Sequence, residues 1–198
     1  SGGGTFDVHD PATGAVIRSI ADATAEDAQK AMDAAAETQD SWAATAPRER
    51  SNILRRAFDL LMERADDFAV LITREMGKPL AEARGEARRT LRILQYYAGE
   101  AERATGEHLP SENPGQWIFT RREPVGVVGV IAPWNFPAAI PAWKSAPALV
   151  FGNAVVLKLA DDAPLSGLVF ARALQDAGLP PGVLSVVLGE GDVVGAAL

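Results

Sequence analysis

Hydrophobic positions recur along this chain with two different periods, and the change between them divides it. From residue 24 to about residue 104, apolar residues fall three and four apart, the spacing of helices with one buried face. From residue 125 onward, short continuous apolar runs alternate with helical stretches. The runs are residues 125–132, 154–157 and 183–188, rich in β-branched residues, and each reads as a strand inside a parallel sheet. The first is bounded by Pro124 and Pro133 and is expected to be buried on both faces. Gly126 and Gly129 within it would let a backbone or a ligand come close. Residues 138–151, closed by Gly152, and 164–177, ended by Gly178 and followed by Pro180, Pro181 and Gly182, read as helices. Strand, helix, strand, helix, strand predicts a parallel, doubly wound sheet with right-handed crossovers. Gly189, Gly191 and Gly195 then lead into a further helix.

The earlier part is read the same way. Residues 5–20 suggest a hairpin whose turn is Asp10-Pro11-Ala12-Thr13-Gly14. Thr24 opens a helix, with Asp27 as a weak capping partner, and Ala28, Ala31, Met32, Ala35 and Trp42 follow at helical spacing. Pro47 suits a first helical position. Ile53, Leu54, Ala57, Phe58 and Leu61 continue the stripe, and Phe68, Leu71, Ile72 and Met76 extend it, in the same helix or after a break near Ala65. Gly77 ends it. Pro79 opens a helix to about Ala104, with Ala83, Ala87, Leu91, Leu94 and Ala98 inward and Glu82, Arg84, Glu86, Arg88, Arg89 and Arg92 outward. The interspersed glutamates make Arg88 and Arg89 part of a solvated face rather than a phosphate site. Residues 106–114 are turn-rich. Residues 116–122 alternate, with Trp117 and Phe119 against Ile118 and Thr120, which predicts an exposed hairpin strand that pairs with another subunit or covers the helices.

Composition narrows the classes. The chain has 198 residues, of which 47% are hydrophobic, enough for a sizeable core in one large domain or two small ones. No apolar run approaches the ~20 residues that cross a bilayer, and Ser1-Gly2-Gly3-Gly4 lacks a signal-peptide pattern and reads as a loop or a cut end. A soluble, cytoplasmic protein is expected. A net charge of -7 argues against nucleic acid as a partner. Zero cysteines exclude a disulfide framework, a thiolate metal site and a cysteine nucleophile within these residues. His9 and His108 are too far apart for a metal-site pattern, so no metal is expected.

Parallel strands deliver their carboxyl ends to one edge, where open α/β sheets bind ligands. The first run ends at Trp134 and Asn135, held between Pro133 and Pro137. The second ends at Lys158, followed by Asp161. The third ends in the glycines. An ammonium and a carboxylate there suit a ribose, and a glycine loop at a helix start lets amides approach a pyrophosphate. An Asn side chain beside them offers an N–H to a developing oxyanion. Each feature has a plainer alternative: a tight turn for the glycines, an exposed loop pair for Lys158 and Asp161, an Asn that holds its own turn. The ordered set on three successive strand ends is the stronger signal.

Pro133-Trp134-Asn135-Phe136-Pro137, Pro141-Ala142-Trp143-Lys144, Gly152-Asn153, Val155-Val156-Leu157-Lys158 and the run from Ala177 to Val183 resemble the NAD(P)-dependent aldehyde dehydrogenase superfamily. The residues upstream agree, at Asp10 to Gly14, Trp42, Arg48-Glu49-Arg50 and Glu75-Met76-Gly77-Lys78. Within it, Arg121-Arg122-Glu123-Pro124 and residues 138–143 are most similar to α-ketoglutarate semialdehyde dehydrogenases, with succinate semialdehyde dehydrogenases close behind. The resemblance implies an N-terminal helical region followed by a Rossmann-like parallel sheet, truncated relative to the family fold. Residues 1–105 would pack on the cofactor domain, 106–124 would form an oligomerisation hairpin, and 125–198 would be the first βαβαβ part of the NAD-binding domain. It implies oxidation of an aldehyde to a carboxylic acid by a homodimer or homotetramer. Asn135 matches the oxyanion asparagine. Ile131, Ala132, Pro133 and Trp134 match cofactor contacts, Lys158 and Asp161 match the ribose ligands, and Gly191 and Gly195 match the glycines near the pyrophosphate. The carboxylate of Asp161 favours NAD, with NADP as the alternative.

Two departures stand out within the motifs. Leu159 stands where many members have proline, and Asp161 is shorter than the usual glutamate; either would loosen the ribose contacts. The larger departure is that the family's catalytic cysteine and general-base glutamate come after this stretch, so these residues alone cannot run the reaction. The rival reading is a non-catalytic nucleotide-binding or structural protein on the same scaffold. A third strand-helix unit that stops inside its helix at Leu198 favours a shortened chain over that rival.

Overall fold

The computed structural model describes residues 3–198, so the reading of the first four residues falls half outside it. β1 (Thr5–His9) and β2 (Val16–Ala21) form the expected antiparallel hairpin. Its turn is closed by the Asp10 carbonyl, which accepts from Gly14 N at 2.7 Å. Thr24 and Asp27 make a full capping box at the start of α1 (Ala25–Ala44). α2 (Pro47–Met62) and α3 (Ala65–Met76) are separate helices, broken at Glu63 and Arg64. α4 (Leu80–Glu100) stops four residues before the expected Ala104. Arg103 folds back to donate to the Gly99 carbonyl at 3.1 Å and to the Glu100 carboxylate at 2.9 Å, which closes the last turn.

β3 (His108–Leu109) and β4 (Ile118–Phe119) pair antiparallel, a shorter ladder than residues 116–122 suggested. Trp117 and Phe119 are 76% and 72% exposed and Ile118 is exposed on the other side, so the ribbon covers no helix.

β5 (Val127–Ile131), β6 (Ala154–Lys158) and β7 (Leu184–Val187) make a parallel sheet in that order. α5 (Ala139–Val150) and α6 (Leu165–Asp176) are its crossovers. β6 is central and buried along its whole length. Val155 and Leu157 pack into the main core with Leu149, Phe170 and Leu174 from the crossovers. Ala154 and Val156 meet Ala28 and Ala35 of α1 on the opposite face. Successive right-handed crossovers stepping one way put both helices on one face. Through these three strands the winding runs in a single direction, as it does in one half of a doubly wound sheet.

The first apolar run is corrected. Among the described residues β5 pairs with β6 alone, with Val127 and Ile131 exposed and Val130 alone fully buried along it. With one partner among these residues, the strand does not bury both faces within this stretch, apolar though it is. The two glycines do not mark a close approach either. A Cβ at Gly126 or Gly129 would meet nothing within 4 Å, and what Gly126 supplies is a φ of 121°. The strand's start is set by Asn153, whose Oδ1 accepts from Val125 N at 2.7 Å and Gly126 N at 3.1 Å.

One contiguous core runs from Trp42 on α1 through α2, α3 and α4 to α5, α6 and the sheet. Trp42 Nε1 donates to the Leu149 carbonyl at 3.0 Å, and buried Arg50 donates through Nε to the Val150 carbonyl at 2.8 Å. Both reach carbonyls in the last turn of α5, where Leu149 O also accepts from Gly152 N at 3.0 Å.

Candidate functional site

The ladder register places Ile131 beside Lys158, and Lys158 beside Val187, at the carboxyl ends of the three strands. Ala132 N donates to the Lys158 carbonyl at 3.0 Å, extending the pairing one residue beyond β5. The chain then breaks away at Pro133 into an exposed loop carrying Trp134, Asn135 and Phe136. Lys144 of α5 folds back to donate to the Ile131 carbonyl at 2.8 Å.

No side chain in residues 132–139 caps the start of α5. Glu86 does so from α4, its Oε1 accepting from Ala138 N at 2.9 Å and Ala139 N at 3.2 Å. Its Oε2 pairs with Lys78, whose Nζ also donates to the Asn135 carbonyl at 3.0 Å and lies 3.9 Å from the Phe136 ring centroid. Glu86 is 3% exposed, which corrects its place on the charged outer face of α4. It lies three residues after Ala83 and one before Ala87, at the margin of the apolar stripe. That position is the one signal in the sequence that could have moved it inward.

The loop after β6 is built by the same device. Glu75 of α3, 2% exposed, accepts from Leu165 N and Ser166 N, each at 2.7 Å, at the start of α6. Burial pushes the Glu75 carboxyl up to about 7 from an ordinary 4.5, against the Ser166 and Leu165 amides, which favour the ion. The folded state therefore holds this proton over a range where the unfolded chain has lost it. Its contribution to stability is unchanged below pH ~4.5, declines as pH rises to ~7 and is flat above, a total of roughly 3 kcal/mol. Replacing Glu75 by Gln should remove that decline, read from denaturant midpoints of the full-length protein between pH 4.5 and 7.

Lys158 is 4% exposed, and its Nζ lies 2.8 Å from Asp161 Oδ1. The shorter carboxylate thus reaches the ammonium. Leu159, in place of the expected proline, is buried against Gly167 of α6, where a Cβ would collide with both of its methyl groups.

Beyond β7 the chain makes a π-helical turn, Gly191–Gly195. The glycine that the fold itself requires here is Gly189, with a φ of 141° and the Ala23 carbonyl and Asp22 carboxylate each 2.9 Å from where a Cβ would sit. At Gly191 and Gly195 a Cβ would meet nothing within 4 Å. Those two are free of steric demand from this chain and leave backbone open at the edge.

Register and pairing thus bring Ile131, Lys158 and Asp161 together, with the third loop leaving from the adjacent strand end. Asn135 sits on the first loop, and its backbone carbonyl is tied to Lys78, in the turn between α3 and α4, rather than to the other two loops. Chemically the edge offers a buried cation-carboxylate pair, open glycine backbone and an exposed amide. Those groups suit a ligand with vicinal hydroxyls, a charged linker and a polarised carbonyl nearby.

The model of the aldehyde dehydrogenase family matches residues 1–198. An α-ketoglutaric semialdehyde dehydrogenase of Bacillus subtilis (strain 168) is 45% identical over 183 residues, 92% of this chain and 38% of the relative. The crystal structure of succinate-semialdehyde dehydrogenase from Burkholderia pseudomallei superposes with a TM-score of 0.95 at 41% identity, covering 98% of this chain and 40% of that one. PnpE in complex with nicotinamide adenine dinucleotide, from a protein of Pseudomonas sp. WBC-3, gives 0.95 at 36% identity, with the same two coverages of 98% and 40%. The chain therefore spans about two fifths of the length of these relatives. With the family model matched throughout and the backbone superposing over almost every residue, this chain belongs to the aldehyde dehydrogenase family.

Proposed function

We propose that these residues serve an NAD(P)-dependent aldehyde dehydrogenase, supplying its cofactor-binding edge and an oxyanion donor for oxidation of an aldehyde to the carboxylic acid. A semialdehyde such as α-ketoglutarate semialdehyde is the proposed substrate, supported by the 45% identical relative of that name. The observation that carries the reading is Lys158, paired with Asp161 at the centre of the carboxyl edge, with Asn135 on the preceding loop. Lys158 would donate to a ribose hydroxyl and Asp161 would accept from one. The Asp161 carboxylate would repel a 2′-phosphate, so NAD is the proposed cofactor over NADP, and the NAD complex of PnpE supports it. Residues 131–134 would line the same edge, and the open backbone at Gly191 and Gly195 fits a pyrophosphate. When bound, the cofactor supplies the hydride acceptor. The Asn135 amide would donate to the substrate carbonyl oxygen as negative charge develops there. The thiolate that attacks the carbonyl must come from outside these 198 residues, which contain no cysteine.

The exposed ribbon of β3 and β4, with Trp117 and Phe119, is proposed to pair with a second copy in a homodimer or homotetramer. A cytoplasmic location goes with this reading. Among the described residues no helix is long and apolar enough to cross a membrane.

The test is aldehyde-dependent reduction of NAD and of NADP by the full-length protein, with α-ketoglutarate semialdehyde and succinate semialdehyde as substrates. Reduction of NAD supports the proposal. Binding of NAD without aldehyde-dependent reduction supports the alternative, a non-catalytic nucleotide-binding or structural protein on the same scaffold. In the same assay Lys158→Met should raise the cofactor Kd about 10- to 100-fold, the worth of one charge-assisted hydrogen bond.

A further inference from the structure

We propose that Lys78 is a positioning residue for the Asn135 amide, a role that rests on reading Asn135 as the oxyanion donor. Lys78 lies in the short turn between α3 and α4, remote in sequence from the sheet. Its side chain is 9% exposed, yet it is aimed at the loop after β5 rather than at solvent. It holds that loop through two neighbouring residues, donating to the Asn135 carbonyl at 3.0 Å and lying 3.9 Å from the Phe136 ring centroid. Glu86 orients the ammonium with one carboxylate oxygen and grips Ala138 and Ala139 with the other. Residues 135–139 are thus fixed by two side chains from outside the sheet.

The consequence follows from what an oxyanion donor must do. Its N–H acts only if it already points to where charge will form, and a displacement of about 1 Å is worth about 10²-fold in rate. Asn135 lies on an exposed loop beyond the end of β5, and among the described residues Lys78 is what holds its backbone carbonyl. Lys78, bonded to its carbonyl, removes backbone motion and leaves the amide its side-chain torsions alone. The cofactor edge at Lys158 is held separately, by Glu75 and Asp161, so the two functions separate experimentally.

The experiment uses the full-length protein with Lys78→Met combined with Glu86→Gln. That pair leaves no unpaired buried charge and keeps an oxygen to cap α5. The expected result is a kcat lowered about 10- to 100-fold with the NAD Kd within about twofold of wild type. In an Asn135→Ala background the pair should cost less than about a further twofold, because both changes remove one interaction. A kcat within about twofold of wild type overturns the proposal, as does an equal loss with and without Asn135. Should the pair not fold, Lys78→Arg keeps the charge but shifts the donor. A several-fold lower kcat at unchanged NAD Kd supports the role, and an unchanged kcat overturns it. The Asn135→Ala variant alone tests the underlying reading. Near-wild-type turnover there removes the oxyanion role and this proposal with it, whereas a large loss there beside an unaffected Lys78 variant removes this proposal only.

Discussion

Asn135→Ala in the full-length protein is expected to lower kcat by about 10²–10³-fold, with the NAD Kd changed by less than about threefold. The side chain is exposed on the loop that leaves the sheet edge, and its carbonyl is tied to Lys78. The substitution removes the amide and leaves the backbone bond intact. An interaction strengthened only as the carbonyl oxygen gains charge affects the chemical step and not ground-state binding of the dinucleotide. Steady-state kinetics with a semialdehyde, and equilibrium titration with NAD, separate the two. A kcat within a fewfold of wild type would mean that Asn135 only shapes its turn.

The second large effect concerns stability. Glu86→Ala should destabilise the full-length protein by about 3–5 kcal/mol, read as a lowered denaturant midpoint. The carboxylate is 3% exposed, caps two amides at the start of α5, and is the partner of Lys78, itself nearly buried. Its removal leaves the two amides without their acceptor and Lys78 without its counter-charge in a place that water reaches poorly. Glu82→Ala, exposed on the same helix, is the control and should change stability by less than about 0.5 kcal/mol. Equal effects at the two positions would show that the Glu86 clamp contributes nothing to stability.

The hairpin at residues 5–20, the capping box at Thr24, the stops at Gly77 and Gly152 and the alternation of strands and helices were all legible in the order of residues. Each depends on local conformational preference or on a period visible within ten to twenty residues. Lys158 and Asp161 were legible as well, since three residues separate the partners. What misled was environment. The run at residues 125–132 is as apolar as β6, but within these residues it has one strand partner where β6 has two, and Val127 and Ile131 are exposed.

The glutamates show the division most plainly. By sequence alone, Glu75 was part of a motif and Glu86 one more charge on an arginine-rich face. Both are buried, and their partners lie 90 and 52 positions further along the chain. A carboxylate becomes the cap of a helix only when folding brings that helix start to it, and no local pattern encodes such a distance. The sequence by itself determined the elements, their order and the residue types delivered to the sheet's carboxyl edge, because backbone preference and hydrophobic period act locally. Only the tertiary structure decided which faces are buried, that α1 covers the second face of the sheet, and that Glu75, Lys78 and Glu86 hold the loops of the site. Those outcomes depend on long-range packing and on charges that must find partners once water is excluded.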